Sequence, residues 1–593
     1  LARDTSVSGV GAMISLDRLN GLPAAEFAAA LAGIFEHSAW VAERAAARRP
    51  FASTLDLHAA LCAVVAEAPA DAQLALIRAH PQLAGRAEVR GALTAESSRE
   101  QQGAGLDACS PEEFKRLHEL NDVYNDKFGF PFILAVRGLD RASIIAAFAQ
   151  RIDNDAGSER RVALEQIGRI AAFRLAAAVS APLAADIMAM HERLAVFSDE
   201  ADALTCTYLR PSHRATAAAI RDFMLGACLQ VEIDAVGNVV GRWRSGLAGA
   251  KTLITGSHYD TVINAGKYDG RLGILLPIAV VQQLKQAGAT LPFDLEIIAF
   301  AEEEGVRFKS TFLGSGAVAG RFDFGVLDSL DGDGISMRAA MLAADCDPDA
   351  IASLARDPAA LAGYVEVHIE QGPVLLDENQ ALGVVSAIAG SVRMLATITG
   401  LAGHAGTVPM PLRHDAAAAA AEIVLAIEKR CSVAPGLVGT VGRLEVPGGA
   451  INVIPGRCEL SIDIRSGDDG LRDAAVAAVL DEVQRVGARR GVGIQLRRVL
   501  EAPSAPCAIE LQQQISAAIT RVTGTAAPRH LPSGAGHDAM KMAAITPIGM
   551  LFVRCGNGGI SHHPDETLSA DDADIAARVF ADFLLHFKPA GQK

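Results

Sequence analysis

Four short apolar runs, each ending in a histidine or a carboxylate, constrain this chain more than any other feature. Residues 252–255 (TLIT) lead into Gly256-Ser257-His258, and residues 294–301 (DLEIIAFA) lead into Glu302-Glu303-Glu304. Residues 363–367 end at His368, two residues before Glu370-Gln371, and residues 550–553 lead into a glycine loop closed by Ser561-His562-His563. Such runs fit buried strands, and the loops at strand ends are where α/β sheets keep ligands.

The residue types at those ends belong together chemically. Asp260, two residues past His258, is placed to accept one ring N–H and leave the other nitrogen for a metal. Three adjacent glutamates repel one another, and a buried strand feeding them favours a cation that offsets the repulsion. A capped turn or a solvated acidic loop is the ordinary reading of each piece by itself. His, Asp, Glu, His and His taken together form an N and O donor set suited to two divalent ions that share one carboxylate.

With Lys267-Tyr268-Asp269-Gly270 included, these residues resemble the M20 family of two-metal amidohydrolases and peptidases, in the branch that cleaves N-carbamoyl and ureido compounds. The resemblance spans about residues 185–590. It implies that His258, Asp269 and His368 hold one ion, that Asp269, Glu304 and His562 hold the other, and that Glu303 is the general base. Zn or Mn is the implied metal, with Co or Ni also accepted by such ligands. No catalytic role is implied for Glu302.

At 593 residues the chain is too long for a single core, so several domains are expected. Residues 1–12 lack the apolar centre of a secretory signal, precede Met13, and are expected to be a disordered leader. From residue 13 to 179 apolar residues recur at three- and four-residue spacing, which predicts an all-α unit with helices over 24–35, 55–67, 71–78, 111–128, 143–152 and 159–179. Residues 180–201 read as a helical connector.

The polar punctuation of the helical unit resembles the OHCU decarboxylases of urate degradation, which act on 2-oxo-4-hydroxy-4-carboxy-5-ureidoimidazoline. The resemblance rests on Arg78-Ala-His80-Pro81, on Ser97-Ser-Arg-Glu100-Gln101 and on Phe128-Gly-Phe-Pro-Phe-Ile133. It implies His80 as the catalytic histidine, Glu100 as its acidic partner, and Ser97, Gln101 and Arg174 as substrate contacts. Loss of CO2 leaves a carbanion that an adjacent C=N bond absorbs, and a His–Glu pair manages the proton, so no cofactor is needed there.

The α/β unit is expected over 202–383 and again over 502–593, interrupted at 384–501 by a strand-helix-strand-strand-helix-strand order of ferredoxin-like type. In M20 proteins such an insert makes the homodimer contact. By the same resemblance His404 polarises the scissile carbonyl from across the dimer, Asn452 and Arg465 bind the substrate carboxylate, and Gln371 meets the ureido group. Arginine suits that task through its planar pair of donors.

The formal charge of −15 argues against a general binder of nucleic acid or of membrane surfaces. No apolar run reaches the ~20 residues of a membrane helix. Nine scattered cysteines without a C-x-x-C read as reduced residues of a cytoplasmic protein. The two resemblances together imply a bifunctional ureide enzyme that turns OHCU into (S)-allantoin and allantoate into ureidoglycine, ammonia and CO2. An N-carbamoyl-L-amino-acid hydrolase or β-ureidopropionase is the alternative for the second half. An inactive scaffolding half is the alternative of another class.

Overall fold

The computed structural model describes residues 13–83, 109–137 and 139–589. The expected leader (1–12) and the expected decarboxylase residues Ser97, Glu100 and Gln101 lie outside the described residues.

The helical unit is built around Pro111–Phe128, whose ends are written into its sequence. Ser110 Oγ accepts the Glu113 N–H at 3.2 Å while the Glu113 carboxylate accepts the Ser110 N–H at 2.9 Å, and Gly129 at φ 71° closes the other end. Leu117, Leu120 and Tyr124, spaced by three and four residues, are buried against Phe132, Phe148 and Ile167. The remaining long helices are Thr54–Ala66, Ala70–Ala79, Arg141–Arg151 and Ala156–Ala178. The expected helix over 24–35 is shorter, Ala24–Ala30, since Leu31–Ser38 turns back through bends. Two further helices, Leu16–Gly21 and Ala39–Ala45, were not evident from periodicity because each spans fewer than two full turns. The unit also holds one element that alternation did not show, a parallel pair of two-residue strands, Ile14–Ser15 with Val179–Ser180, tying its first and last described segments together.

Residues 180–201 contain the helix Leu183–Ala195, and its Leu183, Ile187, Met190 and Leu194 are buried in the core of the α/β unit beside Leu272–Gln286 and Ala570–His586. An amphipathic face of that kind packs on whatever apolar surface it meets, so this segment is part of the α/β core as well as a link.

Nine strands form the main sheet, in the order Ala505–Pro506, Leu382–Ile388, Ile548–Val553, Leu361–Ile369, Thr252–His258, Asp294–Phe300, Val239–Trp243 and Gln230–Ile233, with Arg529–Ser533 also paired to Leu382–Ile388. The four strands Ile548–Val553, Leu361–Ile369, Thr252–His258 and Asp294–Phe300 are mutually parallel. Their C-terminal ends are level: His258 lies opposite Phe300 and His368 opposite Phe552. That register delivers the polar ends of all four runs to one edge.

The insert has a sheet of its own, ordered Leu437–Thr440, Arg457–Ser466, Gly390–Thr399 and Gly493–Ala502, antiparallel throughout. With helices Ala416–Cys431 and Asp469–Arg490 packed against it, this is the ferredoxin-like arrangement. The expected strand over 437–444 is two pieces, Leu437–Thr440 and Leu444–Glu445, separated by Val441–Arg443. Among the described residues no single helix is long and apolar enough to cross a membrane.

Candidate metal centre

Asp269 is the focus of the site. It stands on the loop between strand Thr252–His258 and helix Leu272–Gln286, and it is buried. His258 Nε2 lies 3.4 Å and His368 Nε2 3.3 Å from its Oδ1, and His562 Nε2 lies 3.3 Å from its Oδ2. Glu304 Oε1 stands 3.5 Å from His562 Nε2. The donor atoms of His258, Asp269 and His368 all lie within 4.8 Å of one another, as do those of Asp269, Glu304 and His562.

Two of the three histidines are oriented by their far nitrogens. His368 Nδ1 bonds the Ile369 carbonyl at 2.8 Å, and His258 Nδ1 bonds the Asp260 carbonyl at 3.1 Å, so both rings turn Nε2 toward Asp269. The Asp260 side chain does less for His258 than its spacing suggested: its Oδ1 is 3.5 Å from the ring, and the nearer acceptor is its own backbone. The carboxylate instead accepts the N–H groups of Glu303 and Glu304, at 3.1 Å each for the closer contacts, because the triple-glutamate turn folds over it. Gly270 is required where it stands: at φ 65° it turns the chain away from Asp269, and a Cβ there would come 2.5 Å from the His258 ring.

The electrostatics match a site short of positive charge. Burial drives Glu303 well above the ordinary carboxylate range, and the charges of Glu304, Asp538 and Asp260 push it further against the pull of His258. Burial likewise raises Glu304, to about 7, and Glu302 well above its ordinary value. Asp269 goes the other way: despite burial, the contacts with His258, His368 and His562 hold it well below that range. His562 is raised to about 9, chiefly by Asp269.

This donor set fits a pair of divalent ions. Among the described residues Asp269 Oδ1 is buried with no hydrogen-bond partner although two imidazole nitrogens face it, the condition expected of a carboxylate built to be coordinated. Three carboxylates and three histidines in so small a volume need more positive charge than the chain supplies.

Several residues around the centre were not singled out by their sequence. Glu366, two residues before His368 on the same strand and so on the same face, accepts from Ser257 Oγ at 2.7 Å and Tyr364 OH at 3.0 Å. His537 packs its ring 4.5 Å from the His368 ring, bonds Ser533 Oγ at 2.7 Å, and leaves Nδ1 without a partner among the described residues. Burial lowers His537 well below its ordinary value and raises neighbouring Asp538 to about 8. The glycine-rich run Ser533-Gly-Ala-Gly-His537-Asp538 following a strand was the available signal.

The expected substrate contacts are not gathered in one place. Gln371 reaches the centre, with Nε2 2.7 Å from Asp269 Oδ2 and Oε1 buried without a partner among the described residues. Arg465 turns toward the sheet unit: Nη1 donates to the Gly534 carbonyl at 2.7 Å, and Nη2 to Asp463 Oδ2 at 2.9 Å. Asn452 and His404 are exposed at a separate two-stranded antiparallel ladder, where Gly403–His404 pairs with Val453–Ile454, and neither belongs to the cluster around Asp269.

A second pocket, mostly apolar in its lining, lies in the helical unit. His80, at the end of helix Ala70–Ala79, is buried with Nδ1 on the Leu76 carbonyl at 2.9 Å and Nε2 without a partner among the described residues. Burial lowers it to about 4, so the ring is neutral. Arg174, on Ala156–Ala178, lines the same pocket and is held by Glu36 Oε2 at 2.8 Å and the Gly33 carbonyl at 3.1 Å. Glu36 was not anticipated, since nothing in a lone glutamate before a turn marks a partner 138 residues away.

Comparison with known proteins agrees with this division. Residues 254–586 match peptidase family M20/M25/M40, and residues 20–176 match OHCU decarboxylase. The chain is 39% identical over 424 residues to an allantoate deiminase of Arabidopsis thaliana, covering 67% of this chain and 80% of that protein. It is also 39% identical over 360 residues to an N-carbamoyl-L-amino acid amidohydrolase of Geobacillus stearothermophilus, covering 61% and 87%. A solved amidase of the hydantoinase/carbamoylase family from Burkholderia multivorans superposes with a TM-score of 0.63 at 29% identity, over 68% of this chain and 97% of that one.

Proposed function

The chain belongs to peptidase family M20 and carries an OHCU decarboxylase domain ahead of it, and on that premise we propose that it is a bifunctional enzyme of ureide breakdown. The helical unit decarboxylates OHCU to (S)-allantoin. The α/β unit hydrolyses allantoate to ureidoglycine, ammonia and CO2.

The observation that carries the hydrolytic reading is Asp269 shared among three imidazoles, with buried Glu303 grouped with His258 and Glu304. His258, Asp269 and His368 would hold one divalent ion and Asp269, Glu304 and His562 the other, with Zn or Mn favoured and Co or Ni accepted. Such ions supply Lewis acidity to the scissile carbonyl and acidify the attacking water.

The protein's own groups do the rest. Glu303 takes the proton of the attacking water and hands it to the departing nitrogen, a task suited to a carboxylate whose proton affinity burial has raised. Gln371 offers its free Oε1 to a ureido N–H. Arg465 and Asn452 receive the substrate carboxylate, and His404 polarises the carbonyl from the second copy of a homodimer formed through the insert.

In the helical unit, neutral His80 faces the reacting carbon while Arg174, pinned by Glu36, meets the anionic end of the substrate. Glu100 partners His80, and Ser97 and Gln101 complete the contacts. No cofactor enters this reaction.

Allantoate is favoured over N-carbamoyl amino acids because the decarboxylase product lies one ring opening upstream of it. Sequence identity does not choose, being 39% to a relative of each kind. The deciding test is ammonia release from allantoate, N-carbamoyl-β-alanine and N-carbamoyl-L-amino acids with Mn or Zn added. Preference for allantoate supports the reading, whereas preference for a carbamoyl amino acid replaces it with the amidohydrolase alternative.

A further inference from the structure

The pocket around His80 is lined by the helical unit, but part of its wall is backed from outside by the M20 half. One side is the irregular segment 131–137, from which Phe132, Ala135 and Arg137 line the cavity together with Phe173. Within the unit Phe132, Ile133, Leu134 and Val136 are buried in the helical core, Phe132 stacks on Phe148 and the Ile133 carbonyl accepts from Arg151 Nη1 at 2.7 Å, whereas Ala135 stands outside that core. The Ala135 N–H donates to Gln166 Oε1 at 3.0 Å, and the Arg137 guanidinium lies over the Phe173 ring, 4.7 Å from its centre.

The outer side of this wall is covered by the M20 half. Leu225, in the last turn of helix Pro211–Gly226, is buried against Ala135 and Phe173, and the three form a small core separate from the main cores of both halves. Arg137 Nη1 also stands 3.8 Å from Cys228 Sγ, just beyond that helix. The approach is fixed by bonds further along the interface. Arg169 Nη2 pairs with Asp222 Oδ1 at 2.8 Å, and Thr54 donates its N–H and hydroxyl to Asp186 Oδ1 at 3.0 and 2.8 Å.

A segment without ladder hydrogen bonds takes its position from what packs on its two sides. At Ala135 and Phe173 one side is the reaction pocket and the other is Leu225. Phe173 is adjacent in sequence to Arg174, so a shift of Phe173 moves the residue that meets the substrate anion. We propose that Leu225 is a positioning residue for the decarboxylation, and that the M20 half is thereby a structural part of the first active site. The inference rests on the decarboxylase reading of the helical unit.

Leu225→Ala in the full chain tests it. The expected result is a ~10-fold fall in kcat/KM for OHCU, carried mainly by KM, because a displaced wall weakens substrate placement. Metal content and allantoate hydrolysis stay at wild-type values. Leu225→Met, which restores volume, returns decarboxylation to within about twofold. Asp222→Asn, which breaks the Arg169 pair elsewhere on the interface, leaves decarboxylation unchanged.

Amide hydrogen exchange gives a reading that needs no catalysis: Leu225→Ala should speed exchange across 131–137 by ~10-fold. Wild-type kinetics and wild-type exchange in Leu225→Ala overturn the proposal, as does an equal loss of decarboxylation in Asp222→Asn. A wild-type chain without decarboxylase activity refutes the decarboxylase reading instead, while faster exchange in Leu225→Ala still upholds the wall. Should Leu225→Ala fail to fold, Leu225→Val is judged by the same criteria.

Discussion

Glu566 holds Asp269 by its backbone: the Asp269 N–H donates to Glu566 Oε1 at 3.1 Å, beside the Tyr268 N–H at 2.8 Å. Ser561 Oγ bridges the same pair, 2.8 Å from Glu566 Oε2 and 2.7 Å from Asp269 Oδ2. The carboxylate shared by both clusters and the loop that carries His562 are therefore set by one buried side chain 297 residues away. Removing the support of a ligand commonly lowers metal affinity ~10- to 100-fold. Glu566→Ala should do so, and Glu566→Gln, which keeps the acceptor Oε1, should lose less. Metal titration followed by elemental analysis reads the effect, and unchanged affinity in Glu566→Ala would remove the positioning role.

Asp269→Ala should cost both ions and all hydrolysis, since the same carboxylate faces both clusters. Decarboxylation should survive, because His80 and Arg174 lie in the other half. Two ions still bound per chain after this change would break the assignment.

Glu303→Gln should keep the ions and lose hydrolytic turnover by ~10²-fold or more, the usual loss when a positioned base is removed. Metal loss as large as in Glu304→Ala would mean that the two glutamates have each other's roles.

Acid should destabilise the fold through buried neutral histidines. His80, His191 and His213 are each lowered by burial to about 4 from an ordinary 6.5. Between those limits the unfolded chain binds protons that the folded chain refuses, so stability is intact above pH 6.5 and declines as pH falls toward 4. Thermal midpoints measured from pH 7 to 4.5 should fall, and less steeply in His191→Leu, which deletes one of the three groups. An equal slope in that variant would show that His191 takes no part.

Most of the candidate metal centre is legible in the chain because the side chains gathered there end apolar runs, and parallel register then places such ends side by side. His258, His368 and the triple glutamate are all of that kind. Glu366, His537, Glu566 and Glu36 were not readable, because each acts on a residue that only folding brings near. Glu366 lies inside the strand Leu361–Ile369 and Glu566 in the loop before helix Ala570–His586, and neither ends an apolar run. The strands Ile14–Ser15 and Val179–Ser180 escaped for another reason: two residues carry no alternation to detect. Leu225 read simply as the apolar end of a helix. Its contact with Ala135 and Phe173 exists only because the two halves are docked.

The central claim is that one chain carries two chemistries, of which one depends on bound metal. The most direct measurement is both activities on a single preparation before and after exhaustive chelation. The account predicts that ammonia release from allantoate disappears and returns with Mn or Zn, while conversion of OHCU to optically active allantoin continues at the same rate throughout. Hydrolysis that survives complete metal removal, or decarboxylation lost together with the metal, would contradict it.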